Sequence, residues 1–167
     1  MKRTTLFILA ITFSTFAFAE SDHFKMSYHG YNFYLPETPK ASGFLGSEND
    51  TIVLKYGDDP GEGLVGFSVE SEMATGGCEP EEFFKEVLGK TKKGCDRLAV
   101  ESFQHVFVDD RDAGVWSGER HNFYYFIGDP EITVFFATSD SDSKILKVDT
   151  NFLTKKKLKK VFNEYLH

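Results

Sequence analysis

One glycine pattern has the spacing of a phosphate-binding loop, Gly61-Glu62-Gly63-Leu64-Val65-Gly66. In dinucleotide-binding folds such a GxGxxG loop follows a strand and opens a helix, whose N-terminus meets the pyrophosphate. Here the residues that follow, Leu64 to Glu70, have the composition of a strand. In addition, the carboxylates of Asp58, Asp59 and Glu62 would repel a phosphate. We therefore interpret the glycines as a hairpin turn and expect no cofactor.

A second group of residues has side chains that suit a metal ion. Asp109, Asp110 and Asp112 supply three carboxylates beside a predicted turn. A calcium-binding EF-hand loop needs a glutamate at its twelfth position, which counted from Asp109 is Arg120. The segment therefore favours a solvated hairpin turn. The histidines show neither an HExxH pattern nor a close pair, so no zinc site is predicted. They are His23, His29, His105, His121 and His167.

Nucleophilic catalysis also lacks a local pattern. Ser68 lies in Gly66-Phe67-Ser68-Val69-Glu70, where a nucleophile elbow would have a second glycine in place of Glu70. Glu70 and Glu72 can share one face of a strand, as ordinary surface acids also do. We place His105 on an alternating strand and His121 beside a turn, and either could assemble with a distant carboxylate. No catalytic residue is assigned, and a hydrolase with dispersed residues stays open.

The two cysteines, Cys78 and Cys95, lie on either side of a probable helix over Pro80 to Gly89. Proline suits the first turn of a helix, acidic residues favour its positive end, and glycine marks its exit. The six residues that return from the helix are long enough to bring the thiols together. An even cysteine count without CxxC spacing predicts one structural disulfide rather than a redox or metal pair.

The N-terminal segment Met1–Ala19 has the layout of a secretory signal. Lys2 and Arg3 precede a short apolar run, and Ala17-Phe18-Ala19 provides small residues before a cleavage site after Ala19. Cleavage would leave residues 20–167, a length typical of a single domain. We therefore expect an exported protein, either periplasmic or secreted.

The predicted secondary structure, which must position any site, indicates an α+β domain. We expect a mostly antiparallel sheet packed by two or more helices. Strands are expected at 24–28, 31–35, 51–56, 64–70, 98–108, 114–119, 122–127 and 132–138. His29-Gly30 forms either a hairpin turn between the first two or a bulge within one strand. Residues 36–49 read as a loop, and 144–152 are ambiguous. Thr154 caps a last helix with an apolar stripe at Leu158, Val161, Phe162 and Tyr165.

Aromatic residues occupy both faces of two of these strands. Phe123-Tyr124-Tyr125-Phe126 and Phe135-Phe136 direct rings to opposite sides, and Trp116 lies on a neighbouring strand. One face should be core. The other must be covered by helices or left as an exposed patch that marks an interface, and coverage by the two helices is preferred.

Charge is distributed unevenly along the chain. Residues 20–142 carry 10 bases and 24 acids, a net charge of −14, whereas residues 143–167 carry 7 bases and 2 acids, a net charge of +5. The overall acidity disfavours nucleic acid as a partner. The basic excess is concentrated in Lys155, Lys156, Lys157, Lys159 and Lys160. These lysines form either a solvated helix face or a contact for an anionic surface such as lipid headgroups.

The order of elements resembles the Mog1/PsbP-like fold. An opening strand ends in proline over Tyr31 to Pro36, and strands, a helix after Pro80, a long strand pair and a closing helix follow. The resemblance covers most of residues 20–167 as element order, and the disulfide is not part of that pattern. It implies an accessory or binding role, since that is what known members of the fold serve.

These observations favour an exported, non-enzymatic, protein-binding domain. An inhibitor or immunity-type protein acting on a basic partner would suit the acidic body of the chain. The alternatives are the small exported hydrolase and an envelope structural accessory that contacts an anionic surface through its C-terminal lysines. A membrane surface is therefore a secondary expectation.

Overall fold

The computed structural model describes residues 23–46, 49–92, 94–137 and 144–167. Within these ranges the chain forms a two-stranded hairpin, a seven-stranded antiparallel sheet and three α-helices. The α+β class predicted from the sequence is confirmed. The predicted signal segment and its cleavage site lie outside the described residues, as does the polar segment 139–143.

The elements follow one another with short connections. The strands are β1 Phe24–Tyr28, β2 Tyr31–Leu35, β3 Ala41–Leu45, β4 Thr51–Lys55, β5 Leu64–Glu70, β6 Asp112–Ser117, β7 Asn122–Ile127, β8 Ile132–Ala137 and β9 Ile145–Thr150. The helices are α1 Pro80–Val87, α2 Arg97–Phe107 and α3 Lys155–Val161, followed by a 3-10 turn at Asn163–Tyr165. β1 pairs with β2, and the large sheet has the order β3-β4-β5-β9-β8-β7-β6.

The last strand of the chain lies at the middle of the large sheet. β9 pairs with β5 on one side and with β8 on the other, antiparallel in both cases. It thereby joins β3–β5, from the first half of the chain, to β6–β8, from the second half. The ambiguous segment 144–152 thus contains a central strand, in which Leu146 and Val148 are buried.

Aromatic side chains fill a core on each face of the sheet. On one face, the β1–β2 hairpin and α3 cover Phe67, Phe123 and Phe136. On the other face, α1 and α2 cover Tyr124, Phe126 and Phe135. Phe84 of α1 stacks on Tyr124 with ring centroids 4.7 Å apart. The prediction that helices cover the second aromatic face is confirmed.

Two predicted turns are also confirmed. His29 and Gly30, with φ of 46° and 82°, form the β1–β2 turn. Positive φ at both central residues is typical of the type I′ turn, which matches the twist of paired strands. Gly61 and Gly63, with φ of 78° and 61°, lie in the turn between β4 and β5. A strand follows these glycines, as expected for a hairpin rather than a nucleotide-binding loop.

The strand predicted at 98–108 is wrong, because this segment forms α2. The Asp96 side chain caps the helix by accepting a hydrogen bond of 3.0 Å from the Ala99 backbone N–H. Val100, Phe103 and Phe107 then recur at helical spacing and pack into the second core. Valine and phenylalanine favour strands in isolation, and here the cap and the tertiary packing outweigh that preference.

Two further predictions, for residues 36–49 and 109–112, also need correction. The segment 36–49, expected to be a loop, contains β3 at the edge of the sheet. The turn at 109–112 joins a helix to β6 instead of joining two strands, and β6 begins at Asp112. β3 lacks the period-two alternation that identifies a half-buried strand, since all five of its residues are exposed.

The predicted disulfide is confirmed, with the Cα atoms of Cys78 and Cys95 5.4 Å apart. It links the residues before α1 to the residues before α2. Glu86 supports the return of the chain, because its Oε2 accepts hydrogen bonds from the backbone N–H groups of Gly94 at 3.1 Å and Cys95 at 3.4 Å. A structural disulfide is typical of compartments more oxidising than the cytoplasm.

The predicted final helix and its cap are confirmed as well. The Thr154 side chain accepts a hydrogen bond from the Lys157 backbone N–H at 3.4 Å. Leu158, Val161 and Phe162 are buried, and Tyr165 packs partly buried beside them. None of the helices in the described part of the chain is both long and apolar enough to cross a membrane.

Candidate functional site

Helices cover only part of one face of the sheet. α1 and α2 pack over β6–β8 and over Ile145 at the start of β9, whereas the neighbouring parts of β4, β5 and β9 line an open groove. These parts form the floor of the groove, which has a volume of about 480 Å³, and α2 forms one wall. The groove is lined by Val53, Leu64, Gly66, Val106, Phe107, Arg111, Glu131, Thr133, Lys147, Asp149, Thr150 and Asn151.

Sheet register places four of these residues in one row. Val53 pairs with Gly66, Gly66 pairs with Asp149, and Asp149 pairs with Thr133. Directly paired residues on neighbouring strands point to the same face. A Cβ atom at Gly66 would meet no other atom within 4 Å. The groove is therefore open at its centre because Gly66 contributes no side chain.

A network of charged and polar groups begins on the floor of the groove and continues along β5 to Ser68 and Glu70, beyond the groove lining. Lys147 Nζ lies 3.2 Å from Glu70 Oε1 and 3.3 Å from Asp149 Oδ2. Ser68 donates a hydrogen bond of 3.1 Å to Glu70 Oε1, and Thr133 donates one of 2.7 Å to Asp149 Oδ1. Both hydroxyl-bearing residues are buried. The network fixes the orientation of the two carboxylates.

The cation of this network is held in its charged form. Burial lowers the pKa of Lys147, but the attraction of Asp149 and Glu70 and hydrogen bonds to both carboxylates outweigh burial. The net pKa therefore lies above the ordinary value for lysine. A lysine that stays protonated is an ion-pair partner and not a nucleophile.

One end of the sheet, next to the groove, is strongly acidic. Register pairs run along this end: Lys55 with Leu64, Val65 with Thr150, Thr150 with Ile132, Ile132 with Ile127, and Ile127 with Asp112. The β4–β5, β7–β8 and α2–β6 turns therefore meet here. They carry eight exposed carboxylates, which we call the acidic end: Asp58, Asp59, Glu62, Asp109, Asp110, Asp112, Asp129 and Glu131.

Lysines compensate this charge only in part. Lys40 Nζ lies 2.8 Å from Asp58, and Lys155 Nζ lies 2.7 Å from Asp112. The Lys40 contact lowers the pKa of the exposed Asp58 carboxyl, chiefly through its hydrogen bond. In the described ranges, no cation forms an ion pair with Asp59 or Glu62. The acidic end therefore keeps a negative field that solvent can reach.

Apolar residues of α2 extend the groove away from the acidic end. Leu98 and Val106 are 72% and 53% exposed. A second depression, lined partly by Met73 and Phe103, shares Val106 and Phe107 with the groove. An apolar strip thus lies beside polar and acidic groups, an arrangement typical of protein-binding surfaces.

The histidines do not join the groove. His105 lies exposed on α2, with Nδ1 3.4 Å from Asp109 Oδ2, so its predicted strand environment is wrong. His121 lies against Tyr31 and Tyr165 on the side covered by the hairpin, at centroid distances of 5.5 and 5.8 Å. Burial lowers the pKa of His121, and Arg120 lowers it further, against a raising hydrogen bond to the Ala137 backbone.

The five C-terminal lysines divide into two groups. Lys155 contacts Asp112 and lies over the Tyr125 ring, 4.1 Å from its centroid. The other four are exposed on α3, and within the part of the chain that the structure describes none of them forms an ion pair. They are Lys156, Lys157, Lys159 and Lys160. A solvated face and a surface contact are both compatible with this placement.

Sequence reasoning missed most of the groove. The sequence pattern draws attention to Ser68 and Glu70, but not to Lys147, Asp149 or Thr133. A signal was present, because Lys147 and Asp149 alternate with apolar residues and so share one face of a strand. Three residues that could ligate a metal ion also lie close together in space, namely Cys78, Glu86 and Cys95. Both sulfur atoms are bonded to each other in the disulfide.

Comparisons with known proteins give little further information. No protein-family model matches the chain, and no curated protein matches it. Among solved structures, it is similar to a GTP-binding regulator from Thermotoga maritima, with 11% sequence identity, a TM-score of 0.34 and coverage of 76% of each chain. A similarity of this size assigns neither a fold family nor an activity.

Proposed function

We propose that this chain is an exported, non-enzymatic binding protein that takes a basic protein partner against the acidic end and the adjoining groove. The convergence of eight exposed carboxylates from three separate turns carries the proposal. Such a field speeds the association of a basic partner and selects against acidic ones.

The groove supplies the part of the interface that excludes water. Protein interfaces combine an apolar centre with a polar rim, and charged groups at the centre are few. Val106 and Phe107 provide apolar surface next to the acidic end. Arg111 and Glu131 lie at the border between the two and can pair with groups of either sign on the partner. An inhibitor or immunity-type protein is the form of this function that best suits an acidic, disulfide-linked domain.

The experiment is affinity capture with the protein purified after export, followed by identification and purification of what it binds. The variant Asp59→Asn/Glu62→Gln/Glu131→Gln removes three charges from the acidic end. The control variant Glu72→Gln/Glu79→Gln/Glu119→Gln removes three exposed charges elsewhere. We expect a basic partner whose association slows in the first variant and with added salt, but much less in the control.

The groove is tested separately with Gly66→Leu. The site has space for a side chain and its φ is not in the left-handed region, so the fold should tolerate leucine. We expect this variant to dissociate faster from the partner without loss of stability. Capture of an acidic partner would contradict the proposal. So would equal affinity of the partner for the wild type, the triple acidic-end variant and Gly66→Leu.

A second candidate function rests on the four exposed lysines of α3. Such a cluster suits an anionic lipid or polymer surface, as an envelope accessory protein would require. The test is sedimentation with vesicles that contain phosphatidylglycerol. Replacing Lys156, Lys157, Lys159 and Lys160 by glutamine should abolish binding, whereas Lys155→Gln should not. Equal sedimentation of wild type and the fourfold variant would reject this candidate.

A further inference from the structure

The two edges of the seven-stranded sheet differ in how they are protected. At the β6 edge, the first residue, Asp112, forms an ion pair of 2.7 Å with Lys155. Beyond the end of β6, a Cβ atom at Gly118 would clash with the Tyr165 carbonyl oxygen, so the C-terminal segment lies directly against this edge. Charged residues and covering segments are the devices by which proteins prevent edge strands from pairing.

Within the residues that the structure describes, the β3 edge has none of these protections. Its sequence, Ala41-Ser42-Gly43-Phe44-Leu45, contains neither a charge nor a proline, and all five residues are exposed. Among the described strands, β3 has a partner on one side only, which is β4. Phe44 and Leu45 are 63% and 61% exposed. A strand of this kind presents unpaired backbone N–H and C=O groups together with apolar surface, which favours addition of another strand.

We propose that β3 is a homodimerisation edge, at which a second copy of this chain pairs antiparallel about Gly43. Antiparallel pairing about this centre sets Gly43 opposite Gly43, Ala41 opposite Leu45 and Ser42 opposite Phe44. On each face a large side chain meets a small one, and no charged residue lies opposite another. The segment is therefore complementary to itself, which a symmetric interface requires.

The charge of the surroundings favours a second copy over a basic partner segment. Lys40, next to β3, is already neutralised by Asp58 at 2.8 Å. β3 itself offers no carboxylate that would select a cationic strand. A neutral, self-complementary strand suits an identical neutral strand, whereas the basic partner proposed above is selected elsewhere, at the acidic end.

Dimerisation would also extend the groove. Gly43 pairs with Val53, so it belongs to the same row and the same face as Gly66. The two-fold axis that relates the two copies would pass between their Gly43 residues, perpendicular to the sheet. The grooves of both copies would therefore lie on the same face of one continuous sheet. The dimer would thus present two acidic ends and two grooves to one large partner or to two partners.

Cross-linking tests the register directly. In an antiparallel pair, directly opposed Cα atoms are about 4.5–5.5 Å apart, within the range that a disulfide spans. A Cβ atom at Gly43 meets nothing within 4 Å in the single chain. The variant Gly43→Cys, treated with oxidised glutathione, should therefore form a covalent dimer. The control Leu98→Cys places an exposed thiol on α2 and should cross-link far less.

Sedimentation equilibrium and light scattering test the assembly itself. The wild type should show twice the chain mass, and Gly43→Lys should show a single chain mass because two lysines would face each other. Leu98→Lys, with the same added charge, should remain dimeric. Far-UV circular dichroism establishes that Gly43→Lys is folded, and Phe44→Lys serves as the second edge variant. A monomeric wild type, or a dimer unaffected by both edge variants, would overturn the proposal.

Discussion

Lys147 and Glu70 form an ion pair of 3.2 Å across β9 and β5, two strands that are far apart in the chain and adjacent in the sheet. Asp149 completes the contact from the same strand as Lys147, at 3.3 Å. Removal of the lysine would leave two partly buried carboxylates facing each other without a cation. The groove therefore depends on this one side chain for its electrostatic balance.

The first prediction concerns this balance. Lys147→Met keeps most of the side-chain volume but removes the charge, and we expect it to lower the free energy of unfolding by about 1–2 kcal/mol. Urea unfolding at neutral pH measures the change. Lys156→Met, at an exposed position of α3, is the control and should be nearly neutral. Equal stability of the two variants would show that the ion pairs of Lys147 with Glu70 and Asp149 contribute nothing to stability.

The second prediction concerns pH. The folded pKa of His121 lies below its ordinary value of 6.5, chiefly because of burial. Between those two pKa values the unfolded chain binds more protons than the folded chain, so stability should fall as the pH falls through this range. Urea unfolding measured across the range should show a shallower pH dependence for His121→Gln than for the wild type.

The exposed His105 provides the control for that measurement. The variant His105→Gln removes an imidazole from the surface of α2, where its Nδ1 lies 3.4 Å from Asp109 Oδ2. If His105→Gln flattens the profile and His121→Gln does not, the assignment to the half-buried His121 ring is incorrect.

The third prediction concerns the disulfide. It closes a loop with a sequence separation of 17. Its removal in Cys78→Ala/Cys95→Ala should therefore cost about 3 kcal/mol on the chain-entropy account. Differential scanning calorimetry with and without a reducing agent measures the loss. The reducing agent should destabilise the wild type and leave the double variant unchanged; any effect on the double variant would indicate a different cause.

The fourth prediction compares two phenylalanines. Phe84 is fully buried and contacts the rings of Tyr124 and Phe135, at centroid distances of 4.7 and 5.3 Å. Phe84→Ala should destabilise the protein by about 3–5 kcal/mol. Phe44→Ala removes the same atoms from an exposed site and should change the unfolding energy of one chain little. Chemical unfolding under conditions that keep the chain monomeric measures both.

Much of the local structure could be predicted from the sequence because its causes are local. The type I′ turn follows from His29-Gly30, the start of α1 from Pro80, and the cap of α3 from Thr154. α2 could not be predicted, because its valines and phenylalanines also favour a strand. Its helical form depends on the Asp96 cap and on contacts of Phe103 with Phe84, in a different helix.

The groove and the acidic end depend on contacts that no local pattern contains. Lys147 becomes a central residue only because β9 inserts between β5 and β8. The acidic turns around Asp59, Asp110 and Asp129 are separate in the chain and meet because every neighbouring pair of strands is antiparallel. Strand pairing joins residues at large sequence separation, so it is set by the register of the whole sheet.

The sequence by itself determined that the chain forms an α+β structure with helices over an aromatic sheet, that Cys78 can pair with Cys95, and that negative charge dominates residues 20–142. Only the tertiary structure decided which strands are edges, where the carboxylates converge and which half of one sheet face stays open. The physical reason is that propensity, capping and loop closure act over a few residues. A surface, in contrast, is formed by packing between residues that are far apart in the sequence.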